Sequence, residues 1–463
     1  MKNFTKTIEY LFYLFVFLLP IQTRWIFYYG KLGNEQSQYL TYSLYGTEIL
    51  LGLFLFLGLI YIIKNWDHEN YLLNYRLRNF YLLFFLLFLI IALSFIWSAD
   101  KLAVAYYLWK FIEGFLLLLF IINFRFSFFN TAGALVLSGL VQAGLAIYQF
   151  ITQSVFASKW LGMAEQIISA GGTSVVESES FRWLRAYGTL PHPNILGGFL
   201  AIAFLLLIIL LMLARHKWEK IILWASLPII LTGSFFTFSK SAALATCVAI
   251  IFLGIFIFIS PDKKDRNIFL KIILAGFAIL SVLFLFYSDP VITRLKGETR
   301  LEIKSAQERI MYFDETKDLL KKYWLTGTGL GNYVISDFEQ SQEKLPAYSY
   351  QPIHNVFFLA VVELGVWGFI VLVLIMAEIC RRIYNYKIDY NLSLMDIFDK
   401  FKIEDNYNLY REKFYWFLGL TAVFFAIIII MVFDHYLWTS YFGIILWWLL
   451  LGLWLKQINI KSV

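Results

Sequence analysis

The chain has 463 residues, 60% of them hydrophobic and 15% charged, with a mean hydropathy of +0.69, which excludes an ordinary soluble globular domain and indicates an integral membrane protein. The net charge of +7 does not point to nucleic acid, because Lys and Arg fall in short clusters between apolar runs, the positive-inside pattern. Cys247 and Cys380 lie far apart near the ends of apolar segments, which argues against a disulfide framework or a cysteine metal site.

In chain order the apolar runs predict an all-α polytopic membrane protein, one integral membrane domain over 1–463. About twelve helices are expected, at 8–28, 43–63, 79–97, 102–123, 131–151, 194–214, 221–236, 240–259, 268–287, 355–379, 414–432 and 440–455. Met1–Tyr10 carries two lysines before an apolar run, as a signal peptide would, but no small-residue cleavage site follows Pro20, so a retained first helix is expected. With the N-terminus in the cytoplasm, the inside loops hold Lys64, Arg76, Arg78, Arg125, Arg215, Lys217, Lys220, Lys263, Lys264 and Arg266. The loop 381–413 adds Arg381, Arg382, Lys387, Lys400, Lys402, Arg411 and Lys413, without a catalytic pattern. The short outside loops hold only Arg24, Lys31, Lys101 and Lys240, so both termini are expected in the cytoplasm and the long segments 152–193 and 288–354 outside. Most of the aromatics, 20% of the chain, read as lipid-facing bulk and interfacial belts.

Candidate chemistry collects on the expected outer face. Arg185-Ala-Tyr-Gly-Thr-Leu-Pro-His-Pro-Asn194 runs into the sixth helix; Pro193 suits a first helical position, His192 and Asn194 suit a cap, and Arg185 offers a planar fork for phosphate beside a helix N-terminus. Phe238-Ser-Lys-Ser241 is a tight outward turn whose Lys240 either snorkels or lines the same outer face. In the long external segment Arg294 is a further cation, and Ile303, Ala306, Ile310, Phe313, Lys317 and Leu320 repeat at helical spacing, an amphipathic helix from which Arg309 projects. Gly327-Thr-Gly-Leu-Gly331 lacks the Gly-Lys-Ser/Thr ending of a phosphate-cradling loop and reads as a tight turn. His354-Asn355 stands where that segment becomes the tenth helix, Gly365 and Gly368 follow, and Asp434-His435 ends the eleventh helix on the same side. Glu48, Lys110 and Glu113 are the few charges near or within helices; with no internal repeat, they give little support to a transporter.

The spacing from His354-Asn355 over nine residues to Gly365 and two more to Gly368 resembles the signature of the O-antigen ligase and O-antigen polymerase superfamily of bacterial membrane glycosyltransferases. Thr326–Asn332, Arg185 with Gly188–Asn194, and Thr237–Ser241 look like its other recurrent blocks, although Lys240 stands where many members have Arg. The resemblance implies a GT-C-like fold and transfer of a glycan from an undecaprenyl-diphosphate carrier, without metal or other cofactor. The acceptor would be a glycan, lipid or cell-wall component on the outer face of the cytoplasmic membrane, with membrane lipid as the surroundings. It implies that His354 is the catalytic base, that Arg185, Arg309, Lys240 and Arg294 bind the diphosphate, and that His192, Asn194, Asn355, Asp434 and His435 are accessory. A polysaccharide polymerase and a protein O-oligosaccharyltransferase are the alternatives. The latter often carry extra C-terminal soluble domains, whereas this sequence ends at Val463 just after its last expected helix.

Overall fold

The structure is a computed structural model that describes residues 2–64, 77–178, 181–260, 262–389 and 407–459; Arg76 and, in the expected cytoplasmic loop, Lys400 and Lys402 lie outside them. Among the described residues nine helices are long and apolar enough to cross a membrane: Gly46–Lys64, Lys101–Asn123, Phe128–Thr152, Pro193–Leu213, Lys240–Ile259, Lys263–Phe286, Val356–Asn385, Arg411–Phe433 and Tyr441–Ile458. The other three expected spans correspond to Lys2–Leu18, the shorter apolar helix Arg78–Ser94, and Lys217–Phe235. This is a multi-pass membrane protein.

The described residues are mostly helical and carry three two-stranded antiparallel sheets. The first expected helix, 8–28, ends at Leu18, because Pro20 withdraws a donor and disfavours helical backbone before it. The next residues form the strands β1 (Arg24–Leu32) and β2 (Glu35–Tyr45), in which Leu32 pairs Glu35 across a two-residue loop with Gly33 at φ 59°. The aromatic run Trp25–Tyr29 continues the hydropathy of the first helix, yet its residue types favour a strand.

The chain divides into two compact units, Met1–Thr23 with Arg125–Lys304 and Ile388–Ile430, and Arg24–Phe124 with Ser305–Lys387 and Met431–Val463. In the first, α6 (Pro193–Leu213) is hydrophobic on every side and buried throughout, as a helix must be that offers water or lipid no distinct face. The helices Phe128–Thr152, Lys217–Phe235, Lys240–Ile259 and Lys263–Phe286 surround it. Small residues let these helices close up: a Cβ added at Gly139 would stand 2.5 Å from that of Ala203, and one at Gly233 2.6 Å from that of Ala143. The segment 152–193 is a small β layer, Ser154–Val155 on Gln166–Ile167 and Val175–Glu177 on Arg182–Leu184, around Val155, Met163, Val175, Leu184 and Tyr187. Two buried glutamines anchor its end: Gln149 Oε1 accepts the N–H groups of Tyr187 (3.0 Å) and Gly188 (2.9 Å), and Gln142 Oε1 that of Thr189 (2.8 Å). These bonds satisfy backbone that enters an apolar setting and fix the approach of Arg185.

In the second unit the helix Lys101–Asn123 packs on Tyr441–Asn459. It buries Lys110, whose Nζ lies 2.5 Å from Glu48 Oε1 and 3.9 Å from Glu113 Oε2, and 4.9 and 5.3 Å from the ring centroids of Tyr106 and Tyr441. Asp100 caps this helix through Leu102 N and Ala103 N, accepts the Tyr42 hydroxyl at 2.8 Å, and exchanges backbone bonds with Asn332 (2.6 and 3.0 Å). The glycine-rich turn is thereby tied to the hairpin and to the start of a membrane helix. The amphipathic helix expected from Ile303 to Leu320 is present as α11 (Arg300–Tyr323), with Arg309 exposed.

Candidate active site

The first cluster, in the first unit, is built on the turn Thr237–Ser241. Phe238 sits at φ 46°, a left-handed conformation for a bulky residue, and Ser239 then caps the helix Lys240–Ile259. The bend turns two successive carbonyl oxygens to two arginines. Arg185 Nε donates to Thr237 O at 2.8 Å, and Arg294 donates to Phe238 O through Nε and Nη2, each at 3.3 Å. Arg185 Nη2 also donates to Asn194 Oδ1 at 2.6 Å. His192 is the helix cap that its position predicts: Nδ1 accepts the Asn194 N–H at 3.1 Å, and Nε2 lies 3.0 Å from Ser174 Oγ. Three of the four expected diphosphate ligands, Arg185, Lys240 and Arg294, thus meet at one turn, with Asn194, itself held by His192, orienting Arg185. Glu302, which the sequence did not single out, joins them: Lys240 Nζ is 3.2 Å from its Oε2, and Arg294 Nη1 bonds Oε1. Burial pushes the Glu302 carboxyl up, but Arg294 and Lys240 outweigh it and hold the group below the usual carboxylate range.

The second cluster, in the second unit, surrounds His354. Asn355 caps the helix α13 (Val356–Asp389): Oδ1 accepts from Phe358 N at 3.0 Å and Nδ2 donates to Val432 O at 3.0 Å, which ties His354 to the chain segment carrying Asp434. His354 Nδ1 is buried, without a hydrogen-bond partner, and 3.9 Å from Asp434 Oδ1, one small shift beyond hydrogen-bond range. His435 is fixed by its N–H to Asp434 Oδ1 (2.8 Å) and by Nδ1 to Thr439 Oγ1 (2.7 Å). Burial, and then the neighbouring His354, push its pKa down to about 4 against the opposing charge of Asp434, so its imidazole is neutral at physiological pH. The rings of Tyr39, His435, His354 and Tyr312 form a row with successive centroids 5.7, 5.0 and 6.1 Å apart. Tyr39 comes from β2 and was not legible in the sequence, since its strand was not; Arg309 precedes Tyr312 on α11 by one turn.

His354, Asp434 and His435 offer ligand atoms within 4.8 Å of one another. Ligands on a bound zinc stand about 3.3 Å apart, so these three atoms would have to draw together to close on a metal.

Gly365, at φ 65° and ψ −171°, breaks α13, and the glycine-rich turn fills the break. Thr328 N and Gly329 N donate to the carbonyls of Val362 and Glu363, each at 2.9 Å, and Val366 N donates to Trp324 O at 2.8 Å. A Cβ on Gly327 would lie 2.3 Å from Glu363 O, and one on Gly365 2.5 Å from Leu325 O. Gly368 lies in the same bend, where an added Cβ would meet that of Leu364 at 2.2 Å. The buried Glu363 carboxylate takes the Trp438 indole N–H at 2.8 Å and backbone bonds from Gly331 and Tyr333, joining the turn to the segment after His435. The motif spacing is therefore the footprint of a broken helix whose first half presents His354.

The chain matches no curated protein. Residues 225–373, which hold the Thr237–Ser241 turn, Arg294, Arg309, the glycine turn and His354 but neither Arg185 nor Asp434, match the family model for O-antigen ligase, and this match supports the assignment of the chain to the O-antigen ligase and polymerase superfamily.

Proposed function

We propose that the protein transfers a glycan from an undecaprenyl-diphosphate carrier to an acceptor hydroxyl at the outer face of the cytoplasmic membrane, with both termini in the cytoplasm. The observation that carries this reading is the buried, unpartnered His354 Nδ1 beside the Asp434 carboxylate, on a helix end held by Asn355 and the Gly365 break, within the O-antigen ligase match. His354 takes the acceptor O–H proton as that oxygen forms its bond to the anomeric carbon. The carbon–oxygen bond to the carrier breaks, and its electron pair leaves on the diphosphate, inverting the anomeric centre. Asp434 orients the imidazole and stabilises the imidazolium; the aromatic row offers the acceptor sugar an apolar wall. Arg185, Lys240, Arg294 and Arg309 are the cations assigned to the charge developing on the diphosphate, the role a divalent metal has in other transferases.

The test is incubation of the purified protein with a lipid-linked glycan and candidate acceptors, following which acceptor gains mass. His354→Ala lowers turnover by about a hundredfold or more at an unchanged melting temperature. A chelator leaves the wild-type rate intact. Normal turnover in His354→Ala with a lowered melting temperature would reduce His354 to a structural residue. Mass gained by the glycan itself, or by a protein hydroxyl, would move the reading to a polymerase or to a protein transferase.

A further inference from the structure

The cation cluster on the Thr237–Ser241 turn already holds an anion of its own. Glu302 lies in the first turn of α11, its side chain 10% exposed, with Lys240 on one carboxylate oxygen and Arg294 on the other. We infer that Glu302 is the resident counter-ion of this site: it occupies the place of a diphosphate when no donor is bound, and the diphosphate displaces it. The inference rests on the donor role proposed above for Lys240 and Arg294.

Three features support displacement over a permanent ion pair. Arg294 is held independently of Glu302 by its two bonds to Phe238 O, so its guanidinium keeps its place when the carboxylate leaves. Lys240 is 48% exposed and its flexible stem follows whichever anion is present. Glu302 stands five residues after Gly297, whose φ of 71° ends the helix Ser288–Lys296, so a left-handed joint separates the carboxylate's helix from the one that carries Arg294. A diphosphate offers more oxygens and more charge than a carboxylate, and exchange leaves neither cation unpaired at any stage. The same exchange run backwards helps expel the carrier diphosphate after transfer, when it no longer bears the glycan.

The experiment measures binding of geranylgeranyl diphosphate and of inorganic pyrophosphate to the full-length protein in detergent, for wild type, Glu302→Gln, Glu302→Asp, Lys240→Ala and Arg294→Ala, each with its melting temperature. Glu302→Gln keeps the shape and removes the charge, so diphosphate binds about fivefold more tightly and inhibition of transfer by the released carrier strengthens equally. Glu302→Asp, one methylene shorter, moves in the same direction and serves if the Gln variant fails to fold. Unchanged or weaker binding in the folded Glu302 variants, with weaker binding in Arg294→Ala, overturns the counter-ion role and leaves the donor site standing. Unchanged binding in both Lys240→Ala and Arg294→Ala removes the donor site, and the inference with it.

Discussion

Gly365→Ala is the sharpest probe of the link between the glycine turn and His354. The residue sits at φ 65° and ψ −171°, a region that only glycine enters without strain, and forcing another residue there costs about 1–3 kcal/mol. The new Cβ would stand 2.5 Å from Leu325 O and 2.7 Å from Gly327 N, both backbone atoms that cannot rotate aside, so overpacking adds about 1–3 kcal/mol. A loss of roughly 2–6 kcal/mol is a large fraction of a typical folding free energy of about 5–15 kcal/mol. If the fold survives, it does so by opening the contact, which swings Val356–Leu364 and with it His354. Thermal melting in detergent, paired with glycan-transfer turnover, reads both effects. The control is Gly52→Ala, within a membrane helix and with nothing inside 4 Å of the added Cβ. Equal melting temperatures and equal turnover in the two variants would refute the broken-helix account of the motif.

Arg185→Lys keeps the charge but cannot reproduce both directed bonds to Thr237 O and Asn194, so diphosphate binding weakens and folding stability falls by about 1–3 kcal/mol, read as a lower melting temperature; wild-type binding would remove Arg185 from the site. Burial, and then Asp337, push the Glu315 carboxyl up to about 7 from 4.5. The folded state thus holds a proton that the unfolded chain gives up, and this contribution to stability is lost as pH rises from about 4.5 to about 7. Glu315→Gln should therefore melt with the wild type at pH 4.5 and above it at pH 8, and a constant difference across that range would sink the assignment. Ser341→Cys should react with an impermeant thiol reagent in intact cells, and labelling only after permeabilisation would reverse the proposed orientation.

The membrane helices were legible because a roughly 20-residue apolar run reports a physical length. The hairpin was not, because Trp25–Tyr29 raises hydropathy as a helix would, and only Pro20 and the Gly33-Asn34 pair mark the change. In the candidate site, local rules found the His192 cap and the Gly327–Gly331 turn, each decided within a few residues. Convergence was the part hidden from local rules. Asp434 stands far along the chain from His354, and Glu302 looks like any charge on a solvated helix face until Lys240 and Arg294 are seen around it. The glycine spacing was visible, but its cause, a turn inserted into a helix break, exists only in three dimensions.

The Lys110 cluster bears on how the chain enters the bilayer. Lys110 lies well inside its helix and costs about 2.5–3.5 kcal/mol to insert alone, while its partner Glu48 belongs to a helix synthesised earlier, with Arg78–Ser94 between them. Lys110 has Glu113 one turn along its own helix at 3.9 Å, but the closer pair, with Glu48 at 2.5 Å, forms only once Gly46–Lys64 and Lys101–Asn123 are side by side. The pair therefore joins two helices that are not neighbours in the chain, and a fold in which Lys101–Asn123 failed to return alongside Gly46–Lys64 would leave the buried Glu48 without Lys110.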